Sequence, residues 1–82
     1  AYIGENVIIE KNVVIQPYTC IEKNNVIFSG KILFSLIQEG CFIDINNAKM
    51  IESVIGKNSK IISKQNSNEI SLFLSSYSEL FL

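Results

Sequence analysis

Histidine is missing from all 82 residues, and with it the side chain that most often moves a proton near neutral pH. Acyl transfer needs such a base to deprotonate its acceptor. A zinc site built on imidazole is excluded on the same ground, because two thiols do not replace three ring nitrogens. Apolar residues make up 48% of the chain, yet no run of them approaches the roughly 20 residues needed to cross a bilayer. Charge of one sign does not accumulate either. Seven basic and eight acidic residues are interspersed, for a net charge of −1. Without a basic stripe the electrostatic footprint of a nucleic-acid binder is lacking, so neither a nucleic acid nor a membrane is an expected partner. Gly4, Gly30, Gly40 and Gly56 stand singly, whereas a phosphate cradle groups its glycines in a loop that leads into a helix.

What the chain does have is a six-residue beat. Ile3, Ile9, Ile15, Ile21 and Ile27 recur at that spacing, and Val7, Val13 and Thr19 hold a smaller β-branched register four places after an Ile. A helix would put residues six apart on different faces, and a plain strand would not mark one position in six. A backbone that extends, turns and extends again would return both registers to one interior, which is the repeat of a parallel β-helix. The expected fold is therefore all-β with little or no helix. Tight corners need residues tolerant of positive φ. With each Ile as position one, position four holds Asn6, Asn12, Tyr18, Asn24 and Gly30, then Gly40, Asn46 and Asn58 after a frame shift. Only Tyr18 departs from an Asn/Gly set.

The beat slips between Ile27 and Ile37, so Lys31 to Leu36 is expected to include an extended corner or a shifted strand. It resumes at Ile37, Ile43, Ile55 and Ile61, with Lys49 on the beat in between and Asn46-Asn47-Ala48 as a corner or small loop. Residues 1–82 form one β-helix domain, in which 63–69 read as a polar loop leaving the coil and 70–82 as a last, capping turn. Ala1-Tyr2 already lie in phase with the repeat, as in the C-terminal piece of a longer chain. Cys41 falls in the small inward slot and Cys20 points outward. Their side chains should diverge too far for a disulfide. Two free thiols, with no basic-plus-apolar segment of the secretory kind, fit a reducing, cytoplasmic setting.

Position six should face outward, yet it carries Tyr2, Ile8, Val14, Cys20, Val26 and Ile32. Units three apart stack in a three-sided coil, so Ile8 is expected near Val26 and Val14 near Ile32. Contiguous exposed apolar strips mark interfaces, and Tyr2, Ile8, Val14, Val26 and Ile32 are the interface residues expected for a homo-oligomer closed about a symmetry axis. The eight carboxylates fall mostly at outward or corner positions, where a solvated role is the rule. No catalytic, cofactor-binding or metal residue is assigned.

Two stretches carry a family resemblance. Tyr2-Ile3-Gly4-Glu5-Asn6-Val7-Ile8-Ile9, with Gln16-Pro17-Tyr18-Thr19-Cys20-Ile21, resembles the left-handed β-helix, or hexapeptide-repeat, family. Phe34-Ser35-Leu36-Ile37-Gln38-Glu39-Gly40-Cys41, Ile51-Glu52-Ser53-Val54-Ile55-Gly56-Lys57-Asn58 and Tyr77-Ser78-Glu79-Leu80 are similar to the C-terminal domain of archaeal-type glucose-1-phosphate thymidylyltransferases. The resemblance implies a left-handed coil, although general crossover statistics favour the right hand. It also implies that a separate N-terminal domain, with Mg²⁺, transfers a nucleotidyl group from dTTP to a sugar 1-phosphate. This chain alone would then be inactive, serving nucleotide-sugar biosynthesis by holding an oligomer together, with a trimer among the candidate states. Some relatives carry acetyltransferase activity on such a coil, which gives the alternative of a hexapeptide sugar N-acetyltransferase; a third reading is a stand-alone scaffold. Whichever applies, Val13→Lys should unfold a coil, because an unpaired charge inside one costs on the order of several kcal/mol. Loss of the β signal in far-UV circular dichroism is the expected readout.

Overall fold

The computed structural model describes residues 1–64 and 69–82. Twelve strands, and no helix among the described residues, wind into a parallel β-solenoid of about four turns. In chain order they are β1 (Tyr2–Ile3), β2 (Ile8–Ile9), β3 (Val14–Ile15), β4 (Cys20–Ile21), β5 (Val26–Leu33), β6 (Leu36–Ile37), β7 (Phe42–Ile51), β8 (Val54–Ile55), β9 (Lys60–Ile62), β10 (Glu69–Ile70), β11 (Phe73–Leu74) and β12 (Glu79–Phe81). All pairings are parallel and define three faces. The first stacks β1, β4, β6, β8 and β11. The second stacks β2, the first half of β5, the first part of β7, β9 and β12. The third stacks β3 on the ends of β5 and β7 and on β10.

The six-residue beat is the interior of this prism. Ile3, Ile21, Ile37, Ile55 and Leu74 form one column. Ile9, Ile27, Ile43, Ile61 and Leu80 form the second, and Ile15, Ile32, Met50 and Ile70 the third. Ile21, Ile27, Ile32, Ile37, Ile43, Met50, Ile55 and Ile61 are fully buried, each contributing about 1.5–3 kcal/mol of transfer free energy. Strand backbones bond from coil to coil, so each added coil satisfies the edge of the one before it.

The slip after Ile27 is two separate shortenings. Ile27, Ile32 and Ile37 all occupy interior positions on successive faces, five residues apart at each step. β5 turns its corner within one continuous strand, at Gly30 with φ 116°. A Cβ there would collide with the Ile45 side chain of the next coil. That coil is correspondingly longer at this corner, and Ile45 and Ala48 fill the space over Gly30. Two expectations change as a result. Lys49 is not on the beat: it points outward beside Lys31, and Met50 takes the interior position. Val14 pairs with Lys31 rather than Ile32, and Ile32 is fully buried and lines no surface. Ile8 does lie beside Val26.

Corners follow the position-four rule closely. Asn6, Tyr18, Asn24, Asn46 and Asn58 have φ between 55° and 62°, and Gly40 has φ 77°. Asn12 is the exception and stays out of the left-handed region. Phe34, Glu52 and Tyr77 adopt it as well, at 54°, 50° and 61°. These side chains gain nothing locally from that conformation; stacking of the coil imposes it on whichever residue reaches the corner.

Residues 65–68, the middle of the expected loop, lie outside the described residues. At its ends Ser63 is buried and its N–H donates to the Asp44 carbonyl at 2.8 Å, while Glu69 already opens β10. The segment 70–82 runs on as a further partial coil through β11 and β12.

Gly40→Ala should destabilise the fold by about 1–2 kcal/mol, since the new Cβ would both strain the backbone and meet the Asn58 side chain. Tyr77→Asn should act in the opposite direction by roughly 1 kcal/mol, because the Tyr77 side chain is 77% exposed and loses little packing. Urea denaturation of the two variants beside the parent would read both signs.

Candidate functional site

Outward side chains differ sharply between the three faces. On the first they read Tyr2, Cys20, Leu36, Val54 and Phe73, an apolar column without a charge over five rungs. On the second, Ile8, Val26 and Phe42 give way to Lys60 and Glu79. On the third, Val14 is followed by Lys31, Lys49 and Glu69. The expected interface residues are thus dispersed: Tyr2 on the first face, Ile8 and Val26 on the second, Val14 on the third and Ile32 inside. Leu36, Val54 and Phe73 complete the one uncharged column. Leu36 and Val54 precede Ile37 and Ile55 in the same position-six slot as Tyr2 and Cys20; extending that slot beyond the frame shift would have found them. Phe73 precedes Leu74, where the beat residue is no longer Ile.

The first face is bounded by two unlike edges. Along the corner toward the second face, Glu5, Lys23, Glu39 and Lys57 stack in alternating sign. The N–H groups of Asn24, Gly40, Asn58 and Tyr77 donate to their carbonyls at 3.0, 3.3, 2.9 and 2.7 Å. A groove of about 350 Å³ opens between this edge and the apolar column, lined by Tyr2, Glu5, Cys20, Glu22, Lys23 and Glu39. Glu22 accepts the Glu39 N–H at 3.2 Å. At the opposite edge the rings of Tyr18 and Phe34 form a tilted pair with centroids 5.5 Å apart, over a backbone bond from the Phe34 N–H to the Pro17 carbonyl. Both rings are exposed.

Beneath the charged edge runs a buried polar ladder. Asn25 is fully buried; its amide donates to the Glu22 carbonyl at 2.7 Å, and its Oδ1 accepts the Cys41 N–H at 2.8 Å. The Cys41 thiol donates to the Gly56 carbonyl at 3.2 Å, and the Ser59 hydroxyl to the Ser75 carbonyl at 3.1 Å. Small residues at position five satisfy corner backbone groups that the strand ladder leaves over. Ser35 and Ser53 do the same at the aromatic edge, where Ser53 and Leu72 donate their N–H groups to the hydroxyls below at 3.2 and 2.9 Å.

Cys20 and Cys41 are both free. Burial pushes the Cys41 thiol up, reinforced by the nearby Glu22 carboxylate, against the opposing effect of backbone donors at Ser59 and Asn58. Among the described residues no group of three or more Cys, Asp or Glu is placed to hold a metal ion. No protein-family model, no curated protein and no solved structure matches this chain.

Since the folded state raises the Cys41 pKa, it favours the neutral thiol. That contribution to stability is complete below the ordinary thiol value of 9.0 and is lost as pH rises from there through the folded value. Alkylation of the native chain near pH 8 should therefore label Cys20 first, with Cys41 reacting only after denaturation; peptide mass mapping distinguishes the two.

Proposed function

We propose that this chain is a non-catalytic structural module whose work is to hold copies of itself together. Its part in a larger protein is the one that the resemblance implies, the C-terminal β-helix domain of a glucose-1-phosphate thymidylyltransferase. The observation that carries the first statement is the uncharged column Tyr2, Cys20, Leu36, Val54 and Phe73 on the first face. A solvated strand face places Lys or Glu at such positions, as the third face does. Phe73 is 82% exposed and Tyr2 62%, with Cys20, Leu36 and Val54 half-buried between them, and a continuous apolar strip of this kind favours a partner surface over water. The thymidylyltransferase reading rests on the quoted segments and on the coil itself. The free thiols support a reducing, cytoplasmic setting.

Sedimentation equilibrium should show concentration-dependent association of the parent chain. Leu36→Lys, at the centre of the column, should shift it to monomer while far-UV circular dichroism stays unchanged. A parent that remains monomeric at about 100 µM, where even weak interfaces assemble, would overturn the structural role. Incubation with dTTP, Mg²⁺ and glucose 1-phosphate should give no product from this chain alone, and acetyl-CoA turnover by it would instead favour an acyltransferase.

A further inference from the structure

Resting on that reading of the first face, we infer that it pairs with the same face of a second copy in antiparallel fashion. The two-fold axis lies perpendicular to the solenoid axis and passes between the second and third rungs. Rotation about this axis exchanges the first rung with the partner's fourth and the second with the third, while each edge of the face stays against the same edge of the other copy. Every column is then complementary to itself. On the charged edge, Glu5 meets the partner's Lys57 and Lys23 meets the partner's Glu39. Their vertical order is fixed by the backbone bonds of Asn24, Gly40 and Asn58 to the carbonyls below.

The same operation matches shape. Tyr2, the large first-rung residue, faces the smaller Val54 of the partner, and Cys20 faces the partner's Leu36. Glu22 lies over the partner's Gln38, an amide that can donate to a carboxylate. At the far edge Tyr18 comes against the partner's Phe34, extending the tilted aromatic pair already present within each chain. Phe73, on the fifth rung, extends past the partner's first rung. Side-by-side packing with parallel solenoid axes gives none of this: it sets the charged edge of one copy against the aromatic edge of the next, and Lys23 and Glu39 find no counterpart across the interface. Complementary charge fixes register as well as orientation. Each pair occurs twice in a two-fold interface.

Cross-linking separates the alternatives. In a Cys20→Ser background, Tyr2→Cys and Val54→Cys are made as separate chains and treated, alone and as an equimolar mixture, with a bismaleimide about 8 Å long, matched to the roughly 10 Å between packed sheets. The antiparallel dimer predicts covalent dimer from the mixture and little from either chain alone, since equivalent positions in the two copies lie three rungs, about 14 Å, apart along the axis. Lys23→Glu should raise the dimer dissociation constant about tenfold, and Lys23→Glu with Glu39→Lys should restore it. Strong linking of Tyr2→Cys to itself would overturn the antiparallel arrangement, as would association that persists without mixed cross-links or charge rescue. A chain that never associates in sedimentation would remove the structural role as well, so the two failures are distinct.

Discussion

Everything in this molecule depends on parallel hydrogen bonding between successive coils. Each strand of two or three residues is far too short to persist alone, and it exists because the coil before it presents a row of backbone groups in register. That register brings Ile over Ile on the first two faces, with Leu74 and Leu80 at the last rung, and Ile over Ile or Met on the third, so hydrogen bonding and burial enforce the same alignment. Slippage by one residue would turn an entire interior column to solvent. The two shortenings in the second coil show how strict this is. The chain drops a residue at each of two corners and still returns Ile32 and Ile37 to the interior, with Ile45 and Ala48 closing the volume over Gly30.

The corners carry the cost of that alignment. Asn and Gly take the left-handed conformation readily, but Tyr18, Phe34, Glu52 and Tyr77 adopt it too, against their own preference. Position five offsets part of this through Asn25, Cys41, Ser59, Ser35 and Ser53, which bond the corner backbone from inside. The interior is consequently mixed in character: large aliphatic side chains in the three columns, small polar ones where the chain bends. Cys41 belongs to this second group, and its thiol is a structural donor shielded from the chemistry open to the half-buried Cys20.

The outer surface separates the faces by role. Charge on the third face and on the last rungs of the second keeps them solvated, whereas the first face combines an apolar column with one edge of alternating charge and one of paired aromatic rings. Such an edge carries no net field along the coil, yet it discriminates strongly between alignments of two identical faces.

Residue order alone settled the winding of the chain, because a six-residue period in Ile and a phase-locked Asn/Gly set admit a stacked coil and neither a helix nor an alternating sheet. It also placed Cys41 inside and Cys20 outside, and put Ile8 beside Val26. Periodicity could not place what followed the break in the beat, since a shortened corner and a lengthened one leave the same downstream phase. The stacked coils were needed to show that Ile32 is interior, that Met50 replaces Lys49 on the beat, and that Phe73 joins Tyr2, Cys20, Leu36 and Val54 on one face. Face membership is set by stacking between coils sixteen to nineteen residues apart, a spacing that changes wherever a corner drops or gains a residue and that a six-residue period does not record.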